Sequence, residues 1–211
     1  IFSTHAKRIT YGFNSGADFN GNFKDGALKI NDTEISLPCP SEIMAKNVLA
    51  TFSIANTLGI SHNEIENSIN TFETPTGRSN IIIHNGITII DDTYNSNLES
   101  AKAGIDALSQ YNGNQKIAII GDMFELGELA QSHHYELGKY ISNSNIDILL
   151  ATGELTQLTV DAARKIDATF FQNTNDLINK LIKIANSGDV VYVKGSRGMK
   201  METIIEKGLL K

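Results

Sequence analysis

The amino-acid sequence predicts an α/β protein whose larger part is a doubly wound, mostly parallel sheet. From residue 80 onward, short runs rich in β-branched residues alternate with longer segments whose apolar residues recur at helical spacing. Several of the short runs also end in polar turns that contain glycine. Such alternation is typical of parallel strands whose connecting helices cover both faces of the sheet through right-handed crossovers.

The first forty residues favour β structure. Residues 8–12 are a candidate strand, and residues 27–30 and 34–37 form a predicted hairpin across residues 31–33. Much of the segment from residue 14 to residue 25 is glycine, asparagine and aspartate, and we assign it no element.

Two helices follow this predicted sheet. The first begins at Ser41, and Gly59 is a natural residue to follow its C-terminus. Ser61 and Glu64 have the spacing of a capping box and start the second helix.

The helical pattern breaks at a Pro- and Gly-containing segment. Pro75 disfavours helical geometry at the residue before it, and Gly77 permits a sharp bend. We therefore predict two domains, residues 1–77 and residues 78–211.

The second domain begins with a hairpin and continues as alternating strands and helices. Asn85-Gly86 between two apolar runs is a strong hairpin signal, and Asn97 starts the first helix. The remaining predicted strands are residues 116–120, 147–151, 168–171 and 189–193, and the remaining predicted helices are residues 132–141, 155–165, 175–185 and 202–210.

Four polar turns follow strands of this domain. They are residues 91–95, 121–123, 152–154 and 194–198. Because the carboxyl ends of parallel strands share one edge of the sheet, we expect these turns to form a site for a nucleotide or a charged substrate. The alternative is that Asp91 and Asp92 only cap and solvate a loop.

The sharpest local signal is the turn Lys194-Gly-Ser-Arg-Gly198. We expect it to open the last helix, so that Ser196 and neighbouring backbone N–H groups face an anion while Lys194 and Arg197 add charge. The alternative is a solvated basic turn. The sequence lacks the P-loop spacing of a Walker motif.

Composition and charge exclude several classes of function. A formal net charge of -6 argues against broad binding of nucleic acid. No run of about 18 apolar residues is present, so no membrane span is expected. The single Cys39 fits a reducing compartment, and we expect the cytoplasm. His133 and His134 point in different directions on a helix, which favours packed or capping histidines over a metal site.

Four motifs together resemble the Mur ligase family. They are Pro-Thr-Gly-Arg at residues 75–78, Ile-Asp-Asp-Thr-Tyr-Asn-Ser-Asn at residues 90–97, Ile-Gly-Asp-Met-Phe-Glu-Leu-Gly-Glu at residues 120–128 and Val-Lys-Gly-Ser-Arg-Gly-Met at residues 193–199. They occur in the family's order, and the resemblance extends from Asn47 to the C-terminus.

This resemblance implies the closing part of a truncated central ATPase domain at residues 1–77 and a complete Rossmann-like C-terminal domain at residues 78–211. The implied reaction is ATP-dependent amide formation through an acyl phosphate, joining D-alanyl-D-alanine to UDP-N-acetylmuramoyl-tripeptide in peptidoglycan synthesis. ATP and Mg²⁺ are the implied cofactors. The chain begins at Ile1 without an initiator Met and has no counterpart of the family's P-loop or Mg²⁺ ligands. We therefore expect a fragment of a longer, monomeric ligase, with no catalytic residue and no activity of its own.

The residues that resemble the family's ATP contacts are Asn47, Arg78, Asp92, Tyr94 and Asn95. A guanidinium at Arg78 would offset phosphate charge, and a carboxylate at Asp92 would accept hydrogen bonds from ribose hydroxyls. An amide at Asn47 would pair with the adenine. In the intact enzyme, residues 74–78 are the expected hinge of a domain closure that completes the ATP site.

The resemblance also implies that Lys194, Ser196 and Arg197 bind the carboxylate of D-alanyl-D-alanine. Two alternatives stay open. One is a sister Mur-type ligase that adds another amino acid, and the other is a non-catalytic α/β nucleotide-binding module.

Overall fold

The computed structural model describes residues 6–14, 16–37, 42–73 and 75–210. The chain divides into two compact units, residues 1–73 and residues 74–211. Gly77, which the sequence-based boundary assigns to the first domain, lies in the second unit. Its carbonyl accepts a hydrogen bond of 2.9 Å from the backbone N–H of Tyr94.

In the first unit, the described residues form a four-stranded sheet and two helices. Its strands lie in the order β1 (Tyr11–Gly12), β2 (Phe19–Lys24), β3 (Ala27–Ile30) and β4 (Thr33–Ile35). The pair β1–β2 is parallel, whereas β2–β3 and β3–β4 are antiparallel, which confirms the predicted hairpin. Its helices are α1 (Glu42–Thr57) and α2 (His62–Asn70).

Strand β2 lies in the segment to which the sequence assigned no element. Phe19 and Phe23 pack against the core of this unit, and Gly21 between them is buried on the same side. A Cβ atom at Gly21 would lie 2.7 Å from Leu49 Cδ2, so the close approach of α1 requires glycine here. The capping box of Ser61 at α2 is confirmed, and Ser41 lies outside the described residues.

The second unit contains a six-stranded sheet. The strands are β5 (Asn80–His84), β6 (Ile87–Asp92), β7 (Lys116–Gly121), β8 (Ile148–Thr152), β9 (Asp167–Phe171) and β10 (Val190–Lys194). They lie in the order β5-β6-β10-β7-β8-β9, and every pair is parallel except the hairpin β5–β6. The hairpin turn has positive φ at Asn85 and Gly86, as a type I′ turn requires. The predicted mostly parallel sheet is confirmed.

Helices cover both faces of this sheet. They are α3 (Leu98–Gln110), α4 (Ala130–Ser142), α5 (Thr156–Ala162), α6 (Thr174–Ile184) and α7 (Glu202–Gly208). One core joins the sheet to α3, α4 and the end of α5, and a second core joins the opposite face to α6 and α7. Asn97 caps α3 through its side chain, as predicted. None of the helices in the described ranges has the length and hydropathy to cross a membrane.

The position of β10 determines where a site can form. The chain returns from β9 and inserts β10 between β6 and β7. The helix that follows β10 lies on one face, whereas the helices that follow β6 and β7 lie on the other. Strands whose connections leave on opposite faces form a switch point, and ligands of open α/β sheets bind at the carboxyl ends of such strands.

Candidate functional site

The polar turns predicted at one edge of the sheet do meet there. The Cα register pairs Lys194 at the end of β10 with Asp92 at the end of β6. Ser196 donates its backbone N–H to the carbonyl of Asp122 after β7, at 2.9 Å. The turn after β8 joins them, because the N–H of Glu154 donates to the Asp122 carboxylate at 2.6 Å.

An ion pair between Lys194 and Asp92 forms the centre of this edge. Lys194 Nζ lies 2.6 Å from Asp92 Oδ2, and their side chains are 3% and 15% exposed. The same ammonium donates to the carbonyl of Asn95 at 2.9 Å. The buried hydroxyl of Tyr192 donates to Asp92 Oδ2, also at 2.9 Å. Burial, and then the charge of Asp92, raise the pKa of Tyr192 well above its usual value, so the phenol stays protonated.

The second oxygen of Asp92 binds the start of the second unit. Asp92 Oδ1 accepts the backbone N–H of Ser79 at 3.2 Å and its hydroxyl at 3.3 Å. A carboxylate has about four lone-pair sites, and all four are occupied here. A ribose hydroxyl would have to displace Ser79 to reach Asp92, so direct contact with ATP stays a prediction.

Arg78 and Tyr94 form an open surface beside this ion pair. The guanidinium carbon of Arg78 lies 4.2 Å from the centre of the Tyr94 ring, and the Tyr94 side chain is 44% exposed. Gly77 permits this approach, because a Cβ atom there would lie 3.0 Å from the Tyr94 nitrogen. Asn95 is also exposed. The structure thus brings three predicted nucleotide contacts together: Arg78, Tyr94 and Asn95.

Asn47 is exposed on α1 of the first unit, whereas the other predicted site residues belong to the second unit. Its part in nucleotide binding stays a prediction.

The prediction that the turn after β10 opens the last helix is wrong. Residues 197–199 form a 3₁₀ turn, and α7 begins at Glu202, the predicted start of the last helix, so it does not open directly from the turn at residues 194–198. Ser196 is 2% exposed, and its backbone N–H donates to the carbonyl of Asp122, so it is not available to an anion. Its hydroxyl accepts the N–H of Phe124 at 2.8 Å. Arg197 keeps a side chain that is 64% exposed and lies 3.0 Å from Glu202.

Asp122 is a structural residue that the sequence does not reveal. This carboxylate is 3% exposed and accepts three backbone N–H groups, those of residues 154, 155 and 156, at 2.6, 3.0 and 3.0 Å. Gly153 has φ +146°, and a Cβ atom there would lie 2.3 Å from Asp122 Oδ1. The only signal in the sequence is the pair of glycine-containing turns after β7 and β8. Asp122 thus caps the start of α5.

His134 is a packed histidine, as predicted. Its Nε2 accepts the N–H of Met123 at 3.1 Å, and its Nδ1 lies 2.7 Å from the carbonyl of Ala130, to which it donates. This pattern requires the neutral ring, so the approach of Asp122 to 3.6 Å is not an ion pair. In the described part of the chain, no three His, Cys, Asp or Glu side chains lie together as metal ligands.

A family model described as "Mur ligase, glutamate ligase domain" matches residues 77–197, more than half of the chain. The chain belongs to the Mur ligase family. The matched Mur ligase segment contains the Lys194–Asp92 ion pair and the Arg78–Tyr94 surface, and it does not contain Asn47.

Named Mur ligases are similar over most of the chain. The UDP-N-acetylmuramoyl-tripeptide–D-alanyl-D-alanine ligase of Haemophilus influenzae is 32% identical over 82% of this chain and 39% of its own length. The ligase of the same name from Bacillus subtilis is 30% identical over 76% of this chain and 36% of its own length. MurF from Acinetobacter baumannii has a TM-score of 0.83 and 26% identity, covering 96% of this chain and 47% of that one. The chain therefore spans less than half the length of these relatives.

Proposed function

We propose that this chain is part of an ATP-dependent amide ligase that joins D-alanyl-D-alanine to UDP-N-acetylmuramoyl-tripeptide. The observation that carries the proposal is the similarity of most of the chain to ligases named for this reaction, and the family match across residues 77–197 supports it. The two ligases reported above from Haemophilus influenzae and Bacillus subtilis are both named for this reaction. A cytoplasmic, monomeric enzyme is part of the proposal.

ATP is proposed to bind beside Arg78, Tyr94 and Asn95. These side chains are exposed and adjacent, so a planar cation and an aromatic ring are open to a ligand. The guanidinium of Arg78 offsets phosphate charge, and Asp92 and Asn47 are further proposed contacts. When bound, ATP supplies the phosphoryl group that activates the tripeptide carboxylate. The Mg²⁺ that the family implies would be held by residues outside this chain.

The carboxylate of D-alanyl-D-alanine is proposed to meet Arg197. Of the three residues predicted for this substrate, Lys194 and Ser196 are each 2% exposed and already have partners within the chain. Direct contact by either of them stays a prediction. Arg197 has the most exposed side chain of the three, and a guanidinium can bind a carboxylate through two hydrogen bonds.

The test is a ligation assay with a complete ligase that contains this chain. Phosphate release and product mass are measured with ATP and UDP-N-acetylmuramoyl-tripeptide, adding either D-alanyl-D-alanine or single amino acids. The proposal expects turnover with the dipeptide alone. Arg197→Ala should raise the KM for the dipeptide about tenfold, because the charged contact that it removes is exposed to solvent, and it should leave the KM for ATP unchanged. Arg164→Ala, at another exposed arginine, is the matched control.

Turnover with a single amino acid would replace the proposal with a sister ligase. If no acceptor supports phosphate release while ATP still binds, the chain belongs to a nucleotide-binding module without this activity.

A further inference from the structure

We propose that Lys194 is a positioning residue that holds Arg78 and Tyr94 in place for a nucleotide. The inference rests on the proposed function for the identity of the ligand. The hydrogen bonds that carry it are internal to the second unit.

The ammonium of Lys194 joins a strand end to the loop that follows it. Its bond to Asp92 Oδ2 fixes the last residue of β6, and its bond to the carbonyl of Asn95 fixes the loop three residues later. With its side chain 3% exposed, Lys194 has little room for a ligand of its own.

The same network reaches the segment that carries Arg78. Asp92 Oδ1 accepts the backbone N–H of Ser79, the residue that follows Arg78. Asn95, the other anchored residue, follows Tyr94 directly. Arg78 is therefore followed by a residue that hydrogen-bonds to Asp92, and Tyr94 is followed by a residue that hydrogen-bonds to Lys194. A backbone bond from Tyr94 to Gly77, at 2.9 Å, ties the two segments together.

The stacked pair needs this support. A cation–π contact between two exposed groups is weak compared with the entropy of ordering an arginine side chain. Lys194 also compensates the charge of Asp92, so that a phosphate approaching Arg78 does not meet an unpaired carboxylate. Loss of Lys194 should therefore change both the order and the charge of the surface.

The first readout requires no ligand. Stacking on Tyr94 shifts the NMR signals of the Arg78 side-chain protons upfield through the ring current, and this shift is measured in the 211-residue chain. We expect the shift in the wild type and in Lys183→Met, which removes an exposed lysine on α6. We expect it to be lost in Lys194→Met.

A double variant keeps the test independent of folding. Lys194→Met alone leaves a partly buried carboxylate without its cation, which can prevent folding. Asp92→Asn combined with Lys194→Met removes both charges, and we expect this protein to fold and to lack the ring-current shift of Arg78. If the shift persists in either folded variant, the positioning role of Lys194 is overturned.

The second readout is the Kd for ATP, obtained by NMR titration of the same proteins. We expect about a tenfold weaker Kd in Lys194→Met and an unchanged Kd in Lys183→Met. An unchanged Kd in folded Lys194→Met would contradict the positioning role. If the wild type shows the Arg78 shift and does not bind ATP, the nucleotide assignment fails, and the ring-current result alone decides whether Lys194 positions the pair.

Discussion

Two aspartates at the same edge of the second unit have opposite surroundings. Asp92 ends β6 and accepts hydrogen bonds from the side chains of Lys194, Tyr192 and Ser79, together with one backbone N–H. Asp122 follows β7 and accepts three hydrogen bonds, all from backbone N–H groups. Both are aspartates that follow an apolar strand, so the local sequence does not distinguish them.

These surroundings make Asp122 a structural carboxylate, whereas Asp92 lies beside a candidate ligand surface. Backbone donors at a helix start have fixed positions, and the three that bind Asp122 tie the turn after β7 to the start of α5. The donors to Asp92 are mostly side chains, and residues adjacent to its partners expose Arg78 and Tyr94. Substitution of Asp122 should therefore reduce stability more than removal of a neutral donor to Asp92, such as the Tyr192 hydroxyl.

The largest expected effect is that of Asp122→Ala. It leaves three N–H groups near the start of α5 without an acceptor, one of them in a buried bond and two in part-buried bonds, and a buried donor without a partner costs about 1–3 kcal/mol. We expect the free energy of unfolding of the second unit to fall by about 3 kcal/mol or more, measured by urea unfolding followed with NMR signals of that unit. Asp167→Ala, at an exposed aspartate of β9, should change it by less than about 0.5 kcal/mol. A loss below about 1 kcal/mol in Asp122→Ala would contradict its structural role.

Gly153→Ala tests how closely the turn after β8 packs against the carboxylate of Asp122. The new Cβ atom would lie 2.3 Å from Asp122 Oδ1, in a backbone conformation that favours glycine, so we expect a loss of about 2 kcal/mol. Gly127→Ala is the control, because Gly127 also has positive φ and nothing lies within 4 Å of the added atom. We expect about 1 kcal/mol there. A loss in Gly153→Ala no larger than that in Gly127→Ala would contradict the close packing of Gly153 against Asp122.

Tyr192→Phe removes one donor to Asp92 and keeps the ring. We expect a loss of about 1 kcal/mol near neutral pH, since Lys194 and Ser79 still bind the carboxylate. The raised pKa keeps the folded-state phenol protonated, so this stability is present below the ordinary tyrosine pKa of about 10 and is lost as the pH rises above it. Unfolding measured from pH 7 to pH 11 should show a smaller decline in Tyr192→Phe than in the wild type, and the raised pKa of Tyr140 contributes to the decline in both proteins. Tyr135→Phe, at an exposed tyrosine, should retain the decline.

The smallest effect on stability is expected for an exposed carboxylate, that of Glu136. Glu136 accepts a hydrogen bond from Lys102 at 2.6 Å, and this bond lowers the pKa of the Glu136 carboxyl. Lys102→Met should raise that pKa toward 4.5, as measured by NMR titration. The stability that the pair contributes is present above pH 4.5 and is lost as the pH falls below it. Solvent screening should keep it smaller than the effects above, and an unchanged pKa would show that the pair does not form.

The sequence predicted most of the second unit because its signals are local. β-Branched runs, the Asn85-Gly86 turn and the Asn97 cap each specify their element without help from distant residues. Strand β2 was missed, since its inward residues are Phe19, Gly21 and Phe23, and the glycine is explained only by the approach of α1.

The candidate site was less predictable because its contacts join distant parts of the chain. The sequence indicated Asp92 and Lys194 as ligands of different molecules, and nothing local shows that they pair with each other. Ser196 lies in a turn whose composition is typical of an anion-binding site. Its hydroxyl, however, accepts the N–H of Phe124, and its own N–H donates to the carbonyl of Asp122. Neighbouring strands of a parallel sheet place such residues together across some 70 to 100 positions of sequence.

The most direct test of a nucleotide-binding surface at Arg78, Tyr94 and Asn95 is an ATP titration of the 211-residue chain. The titration is monitored by NMR signals near Asp92 and near Asp122. We expect concentration-dependent shifts at Arg78, Tyr94 and Asn95, and unchanged signals at the amides of residues 154–156. Shifts confined to residues 154–156, or none at Arg78, Tyr94 and Asn95 up to millimolar ATP, would contradict it.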